Sequence, residues 1–433
     1  MSDPDRASAA LAVQPVAPTR ARYWVVVFAV LLAVILYVDR IAISQAAPQI
    51  AGDLGLSVSQ MGWVFSAFTL AYALFEIPGG YLGDRIGPRR VLLRIVVWWS
   101  FFTAATGWVW SWSSLLVTRF LFGAGEAGCF PNLTKAFNGW LPPVERSRVQ
   151  GIMWMSARWG GAATPLLVYG CLHYMNWRTA FMLFGLLGVA WAVVFHWWYR
   201  DNPREHPGVN AAEAAQLPPA VDSAGHGAVP WGRLVRSRTV WCLGGQYAAL
   251  SYAWYFFITW FPTYLLKERG FDVQQSAVLA GLPLALGGFG SLAAGWLSPR
   301  LAQWLGVRRA RCGLGAGGMF LAAVLLATST FITNPYAAVV VIALVSFCND
   351  VTIPGAWTTC MDVGGRWVGT LGGTMNMMGN LGGFLSPIVI GYIVQRTNNW
   401  TLAFHVTAAV YLLGAVFWLM IDPVTPLEQQ VKD

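Results

Sequence analysis

Six ionisable side chains stand inside stretches of this sequence that are otherwise strongly apolar: Asp39 and Arg40 side by side, then Glu76, Arg119, Glu126 and Arg158. Ionisable groups in such surroundings are costly to keep and mark ion or substrate pathways by default. Burial disfavours the charged form of a carboxylate, and a nearby guanidinium favours it. An anion that takes over the guanidinium therefore tips the carboxylate toward binding a proton, which is the physical requirement for coupling anions to protons. Static ion pairs that only hold helices together are the alternative reading of the same residues.

Spacing suggests how these groups pair. At a rise of roughly 1.5 Å per residue, Asp39 falls far along a helix that begins near Tyr23, and Arg119 falls early on a helix running the opposite way. Both reach the outer third of a bilayer, so Asp39 is expected to pair with Arg119. Glu126 follows Arg119 by two helical turns on the same face, near the midplane, and is expected to pair with Arg40 or Arg158. Glu76 lies toward the inner end of its run beside Pro78, which suits a gate or a packing role.

The elements that must position these residues are apolar runs. Of 433 residues, 56% are hydrophobic and 11% are charged, against about 25% charged in soluble domains. The runs approach the roughly 20 residues that cross a bilayer as helix. They fall at 23–44, 61–82, 91–111, 114–137, 147–172 and 178–199, and again at 240–265, 274–297, 311–330, 335–358, 368–393 and 400–421. The expected domains are a disordered cytoplasmic tail at 1–22, a six-helix bundle at 23–199, a cytoplasmic linker at 200–238, a second bundle at 239–421 and a tail at 422–433.

The net charge of +9 raises nucleic-acid binding, yet the basic residues cluster between apolar runs, as membrane topology requires. No nucleic-acid partner is expected. One side holds Arg20, Arg22, Arg85, Arg89, Arg90, Arg146, Arg148, Arg200, Arg204, Arg233, Arg236, Arg238, Arg300, Arg308, Arg309, Arg311 and Arg366; the alternate loops hold Arg178, Lys267, Arg269 and Arg396. The positive-inside rule then places both termini in the cytoplasm of a multi-pass protein in the cell (inner) membrane. The six cysteines lie almost wholly within apolar runs without metal-ligand spacing, so they read as small buried hydrophobes.

The chain also repeats itself. Glu126, Pro131, Trp177 and Phe181 recur at one constant offset as Asn349, Pro354, Trp400 and Phe404, and Gly80-Tyr-Leu-Gly-Asp84-Arg85 is echoed by Gly295-Trp-Leu-Ser-Pro-Arg300. The fold expected is an all-α membrane protein of twelve transmembrane helices in two six-helix pseudo-symmetric halves, rocking about a midplane site.

Two sets of residues carry a family resemblance. The loop Gly80-Tyr-Leu-Gly-Asp84-Arg85-Ile-Gly87-Pro-Arg89-Arg90 resembles the signature loop of the major facilitator superfamily, which implies a gating role for Asp84, Arg85 and Arg89. The strings Tyr37-Val-Asp39-Arg40 and Arg119-Phe-Leu-Phe-Gly123-Ala-Gly-Glu126-Ala-Gly-Cys-Phe130-Pro131 resemble the anion:cation symporter family within it, in particular proton symporters of sugar acids and other organic anions such as the galactonate, glucarate and hexuronate transporters. That resemblance implies that Arg40 and Tyr72 grip a substrate carboxylate, that Asp39 and Glu126 exchange protons, and that Arg119 partners Asp39. Arg158 departs from it, standing where several sugar-acid carriers have a glutamine. This arginine would bind a second carboxylate or else neutralise Glu126, and the residues leave both open.

The second half offers polar and aromatic groups. Tyr252, Tyr255, Asn376 and Asn380 suit the hydroxyls of a polyhydroxylated acid, Trp357 could stack on it, and Tyr37 neighbours the anion site. Other motifs carry little. Gly123-Ala-Gly125-Glu-Ala-Gly128 fits the dinucleotide pattern GxGxxG but lies in an apolar helix without the strand that pattern needs, so close helix packing explains it. The sequon at Asn132 and the lone His405 are read as chance and as a core residue. No nucleophile–base set, metal cluster or cofactor motif is present, so an enzyme is not expected. The expectation is a monomer in the lipid bilayer that takes up a small organic anion, a sugar acid or another carboxylate, with protons by alternating access. An anion exchanger, a drug exporter and a transporter-like sensor are the rivals.

Overall fold

The computed structural model describes residues 17–219 and 229–430. The tail expected at 1–22 lies mostly outside the described residues, as do 220–228 of the linker and 431–433 of the closing tail. Every long element is helical, because only a helix satisfies all its backbone groups within one lipid-exposed segment.

The first half comprises α1 (Arg22–Leu54), α2 (Val58–Ile86), α3 (Pro88–Thr106), α4 (Trp112–Glu126), α5 (Cys129–Trp140), α6 (Pro143–Tyr174) and α7 (Trp177–Trp198). Helices α4 and α5 form one span broken at Ala127 and Gly128. Short helices α8 (Ala211–Ala214) and α9 (Trp231–Arg236) punctuate the connection to the second half. There α10 (Arg238–Thr259) and α11 (Phe261–Lys267) share a span, followed by α12 (Val273–Leu305) and α13 (Val307–Ser329). Helices α14 (Pro335–Val351) and α15 (Ile353–Gly364) share another, then come α16 (Val368–Thr397), α17 (Trp400–Met420) and the terminal α18 (Leu427–Gln430). These twelve spans correspond to the twelve apolar runs. Several helices overrun their runs, α1 by ten residues at its far end, because helix continues past the apolar stretch into polar surroundings.

Seven helical stretches are long and apolar enough to cross a membrane by length and composition alone. Among the others, α3 carries Arg89, Arg90 and Arg94, α6 carries Arg146, Arg148 and Arg158, and one span is divided into α4 of 15 residues and α5 of 12. The polar groups that lower their hydropathy include those that later prove to line the interior.

Packing repeats between the halves. In the first, α1 lies against α6, α2 against α4 and α3 against α7; in the second, α10 lies against α16, α12 against α14 and α13 against α17. The halves meet through α2 against α16 and α6 against α12. The break between α4 and α5 has a steric cause. Gly128 takes φ +83°, a region that L side chains avoid, and a Cβ there would lie 2.7 Å from the Gly79 Cα. Pro354 follows the break at Thr352 in the first turn of α15, where a missing N–H costs no helical bond.

The contacts between α2 and α16 form a stripe at four-residue spacing on α2, running from mid-depth to the end that carries both termini. Tyr72 and Glu76 meet Asn376, and Gly80 meets Gly369 so closely that a Cβ on either would collide with the carbonyl oxygen of the other. Asp84 ends the stripe. Its carboxylate accepts from the N–H groups of Gly369 (3.0 Å) and Thr370 (2.6 Å), from the Thr370 hydroxyl (2.6 Å) and from Lys135 Nζ (2.7 Å). An acid at the N-terminus of α16 satisfies free donors and the positive end of the helix dipole together. Beside it, Asp362 is held by Arg146 of the first half (3.0 Å) and by Arg311 of the second.

Removing the Asp84 carboxylate strands several buried donors. Asp84→Ala is expected to lower stability by about 1.5–3 kcal/mol and to speed maleimide labelling of the buried native Cys360 on α15. Unchanged melting and labelling would show that this contact does not hold the end shut.

Candidate functional site

Between the halves, above the closed end, lies a cavity lined by Tyr37, Arg40 and Tyr72, by Phe130, Trp154 and Arg158, by Tyr247, Leu250, Ser251, Trp254 and Tyr255, and by Ile353, Asn376 and Asn380. The centre of a water molecule can reach about 70 Å³ of it. One water needs roughly 10–15 Å³ by that measure, so the space suits several waters or one small organic ion.

Helix α1 supplies Tyr37 and Arg40 from one face, three residues apart. The Arg40 guanidinium lies 4.3 Å from the Tyr72 ring centroid and 5.3 Å from that of Phe68. Its Nε donates to Glu126 Oε1. Glu126 is fully buried behind Arg40, and its Oε2 accepts no hydrogen bond among the described residues. Of the two partners expected for Glu126, the structure therefore selects Arg40.

Arg158 pairs elsewhere. Its Nε and Nη2 donate to the two carboxylate oxygens of Asp350 on α14, at 2.6 and 3.0 Å, a bidentate fork that joins the two halves. The Trp254 ring lies under the guanidinium at 3.3 Å, and Arg158 Nη1 donates to the Tyr37 hydroxyl at 3.4 Å. Asn349 Nδ2 adds a third donor to Asp350 at 2.9 Å, and Tyr411 donates in turn to Asn349 Oδ1 at 3.0 Å. Of the two alternatives left open for Arg158, the pairing with Glu126 is not the one formed, and Asp350 brings a buried charge from the second half.

Asp39 faces away from the cavity, 1% exposed, and neither of its oxygens accepts a hydrogen bond among the described residues. The ion pair expected between Asp39 and Arg119 is not closed. The Arg119 guanidinium rests on aromatic faces instead, 4.3 Å from the Phe122 centroid and 5.3 Å from that of Phe68, where its charge still acts on both Asp39 and Glu126. Glu76 is fully buried and accepts from Asn376 Nδ2 at 2.7 Å, while the same nitrogen lies 3.3 Å from the Tyr72 hydroxyl. Asn380 donates to the Asn376 carbonyl at 2.8 Å. Of the loop residues, Asp84 bridges the halves as described. Arg85 is exposed. Arg89 stays within the first half, bonding through its backbone N–H to Asp201 (2.8 Å) and through Nη2 to the His196 carbonyl (2.5 Å).

Seven of the nine side chains expected to contact a ligand thus meet at one cavity: Tyr37, Arg40, Tyr72, Arg158, Tyr255, Asn376 and Asn380. Tyr252 and Trp357 do not line it. Tyr252 lies on the opposite face of α10 from Tyr247, Ser251, Trp254 and Tyr255, whose helical spacing marks the cavity face. Trp357 is fully buried and donates to the hydroxyl of the cavity residue Tyr247 at 3.0 Å, so it supports the wall from behind. Sequence reasoning missed Trp154, which lies one turn before Arg158 on α6 and stacks on Phe130 at 4.5 Å. It also gave Asp350 no partner, although an acid in an apolar run beside the repeat partner of Glu126 was a visible signal.

The sequence model of the Major Facilitator Superfamily matches residues 29–387. The chain belongs to that superfamily. It is 36% identical over 400 residues to a probable sulfoacetate transporter of Cupriavidus necator, covering 91% of this chain and 92% of the relative. It is 33% identical to the hexuronate transporter of Bacillus subtilis, covering 90% and 92%, and 32% identical to a probable galactarate/D-glucarate transporter of Escherichia coli, covering 93% and 94%. The fold matches crystal structures of the Escherichia coli fucose:proton symporter and the human organic anion transporter MFSD10, each with a TM-score of 0.69 at 15% identity over 92% of this chain and at least 98% of theirs. The resemblance to sugar-acid carriers therefore holds, and this superfamily member is a multi-pass membrane transporter, not an enzyme.

A buried ion pair broken on one side leaves an uncompensated charge. Arg158→Gln is expected to destabilise this transporter by about 3–5 kcal/mol, and adding Asp350→Asn should recover most of that loss in thermal unfolding. A single variant as stable as wild type would mean that the pair is not formed.

Proposed function

We propose that this transporter takes up a small organic anion, a sugar acid or comparable carboxylate, together with protons by alternating access. The observation that carries the reading is the Arg40–Glu126 pair, in which an arginine facing the cavity is held by a buried acid that does not line it. A substrate carboxylate that reaches Arg40, with the Tyr72 hydroxyl beside it, displaces Glu126. The freed carboxylate would then be an unpaired buried charge, which is removed most cheaply by taking a proton. Asp39 is the second proton site, and Arg119, acting on both acids, couples the two. Parting of the stripe from Glu76 to Asp84, with Arg85 and Arg89 flanking the loop, opens the terminus-bearing end. A single chain carries both halves, so a monomer suffices. The basic loops support the cell inner membrane with both termini in the cytoplasm. The names of the relatives, all carriers of organic anions, support the substrate class.

Uptake into proteoliposomes, screened over sugar acids, dicarboxylates and sulfoacetate, should require an inward proton gradient. Glu126→Gln is expected to retain exchange of internal for external substrate and to lose accumulation by at least about tenfold, or ~1.4 kcal/mol. Accumulation that survives in this variant rules Glu126 out as the coupling acid, and gradient-independent uptake by the wild type would make the protein an exchanger. Arg40→Ala should abolish the thermal shift given by the best substrate, while Tyr252→Phe leaves it unchanged.

A further inference from the structure

One carboxylate needs one guanidinium, yet the cavity presents two. Arg40 and Arg158 line it together and flank the same phenol: Arg158 Nη1 lies 3.4 Å from the Tyr37 hydroxyl, and the Arg40 guanidinium carbon lies 5.9 Å from the Tyr37 ring centroid. Each is held from behind by a fully buried carboxylate that does not itself line the cavity, Glu126 for Arg40 and Asp350 for Arg158. Glu126 is the last residue of α4, and Asp350 is the last but one of α14, each just before the break of its span. The two halves therefore carry an acid at matching helix breaks, and each acid stands behind an arginine of the first half that faces the ligand space.

The Arg158 fork is set for a ligand. Two of its nitrogens serve Asp350, the third points to Tyr37, and the Trp254 face at 3.3 Å holds its plane. Among the described residues, the charged and titratable groups around Asp350 include Arg158 of α6, Tyr247 of α10 and Tyr411 of α17, while α12 brings Gly287 and Ser291 against it. Arg158 is thus the only cation that compensates Asp350 among the described residues.

Resting on the reading that Arg40 receives one anionic group, we propose that Arg158 is a second anion subsite, that the transported ion carries an anionic group at each end, and that Asp350 takes a proton when Arg158 turns to the ligand. The balance is simple. The second anionic group replaces the Asp350 carboxylate as hydrogen-bond acceptor of Arg158, and one proton from the aqueous side converts that carboxylate to the acid. A two-ended dianion then enters with a proton on Glu126 and a proton on Asp350, and the buried region gains no net charge. Because the Arg158–Asp350 fork joins the halves, its exchange for a ligand also frees one tie between them.

The test uses purified full-length protein and two ligand pairs: galactarate against galactonate, which differ in one terminal carboxylate, and sulfoacetate against glycolate. Binding is measured by isothermal titration calorimetry. Wild type should bind the two-ended ion of at least one pair roughly tenfold or more tightly than its partner. The double variant Arg158→Gln/Asp350→Asn keeps the buried charges balanced. It should lose the preference, binding the two ions of that pair within about threefold of each other. Equal binding of both ions in each pair by wild type, or no binding of either two-ended ion, overturns the second subsite. So does a preference that persists in the double variant while Arg40→Ala abolishes binding of all ligands, and that outcome leaves the Arg40 reading intact. Full binding in Arg40→Ala instead removes the first subsite, and with it the two-ended arrangement built on it.

Discussion

The structure depends on one constraint: a charge removed from water must meet another charge or be neutralised. Four carboxyl groups, Asp39, Glu76, Glu126 and Asp350, and three guanidinium groups, Arg40, Arg119 and Arg158, lie buried or nearly so within the membrane-spanning region. Helix breaks, aromatic platforms and cross-half contacts can be understood as means of holding these groups at tolerable cost. The break after Glu126 ends α4 where the acid can meet Arg40, and the break after Asp350 does the same for Arg158. Tyr72, Phe68, Phe122 and Trp254 offer ring faces to guanidinium groups, which are more weakly hydrated than ammonium and suit such surfaces. An anion entering this region cannot simply be added to it. In the proposed cycle it exchanges for a carboxylate already present.

The same constraint separates the two ion pairs by what they connect. Arg40 and Glu126 both belong to the first half, so changing their partnership alters the charge of one rigid body. Arg158 and Asp350 belong to different halves, so their fork is both a charge balance and a mechanical tie. Asn376 works similarly at lower cost, joining Glu76 and Tyr72 of α2 to α16 by neutral donation. The cavity and the contact between the halves thus share side chains, and in the proposed cycle these carry a local exchange of partners to the closed end some three helical turns away.

Much of this was legible in the sequence, and the limits have physical causes. Twelve apolar runs and a constant offset between Glu126 and Asn349 sufficed for the architecture, because lipid leaves few other solutions for so apolar a chain. Depth along the helices narrowed the partner of Glu126 to Arg40 or Arg158, and the structure chose Arg40. The Arg158–Asp350 pair did not, because its members are 192 positions apart and lie in different halves, so no spacing rule connects them. Tyr252 illustrates a finer limit: in an apolar helix without a strongly polar face, a tyrosine two residues from Trp254 turns to the opposite side, and only the stripe of Tyr247, Ser251 and Tyr255 reveals which side matters. Asp39 and Arg119 are brought close but not joined, since the aromatic rings beside Arg119 compete for its guanidinium.

The contact between Gly80 and Gly369 sets a property that no side chain could. Their meeting is main chain against main chain, with no rotamer to yield, so the halves shut against a rigid stop at a fixed angle. A carrier must never be open to both compartments at once, and the absence of two methyl groups contributes to meeting that requirement here. Bulk at this point would keep the two backbones from meeting, and in the proposed cycle the carrier would become a leak that dissipates the gradient meant to drive it.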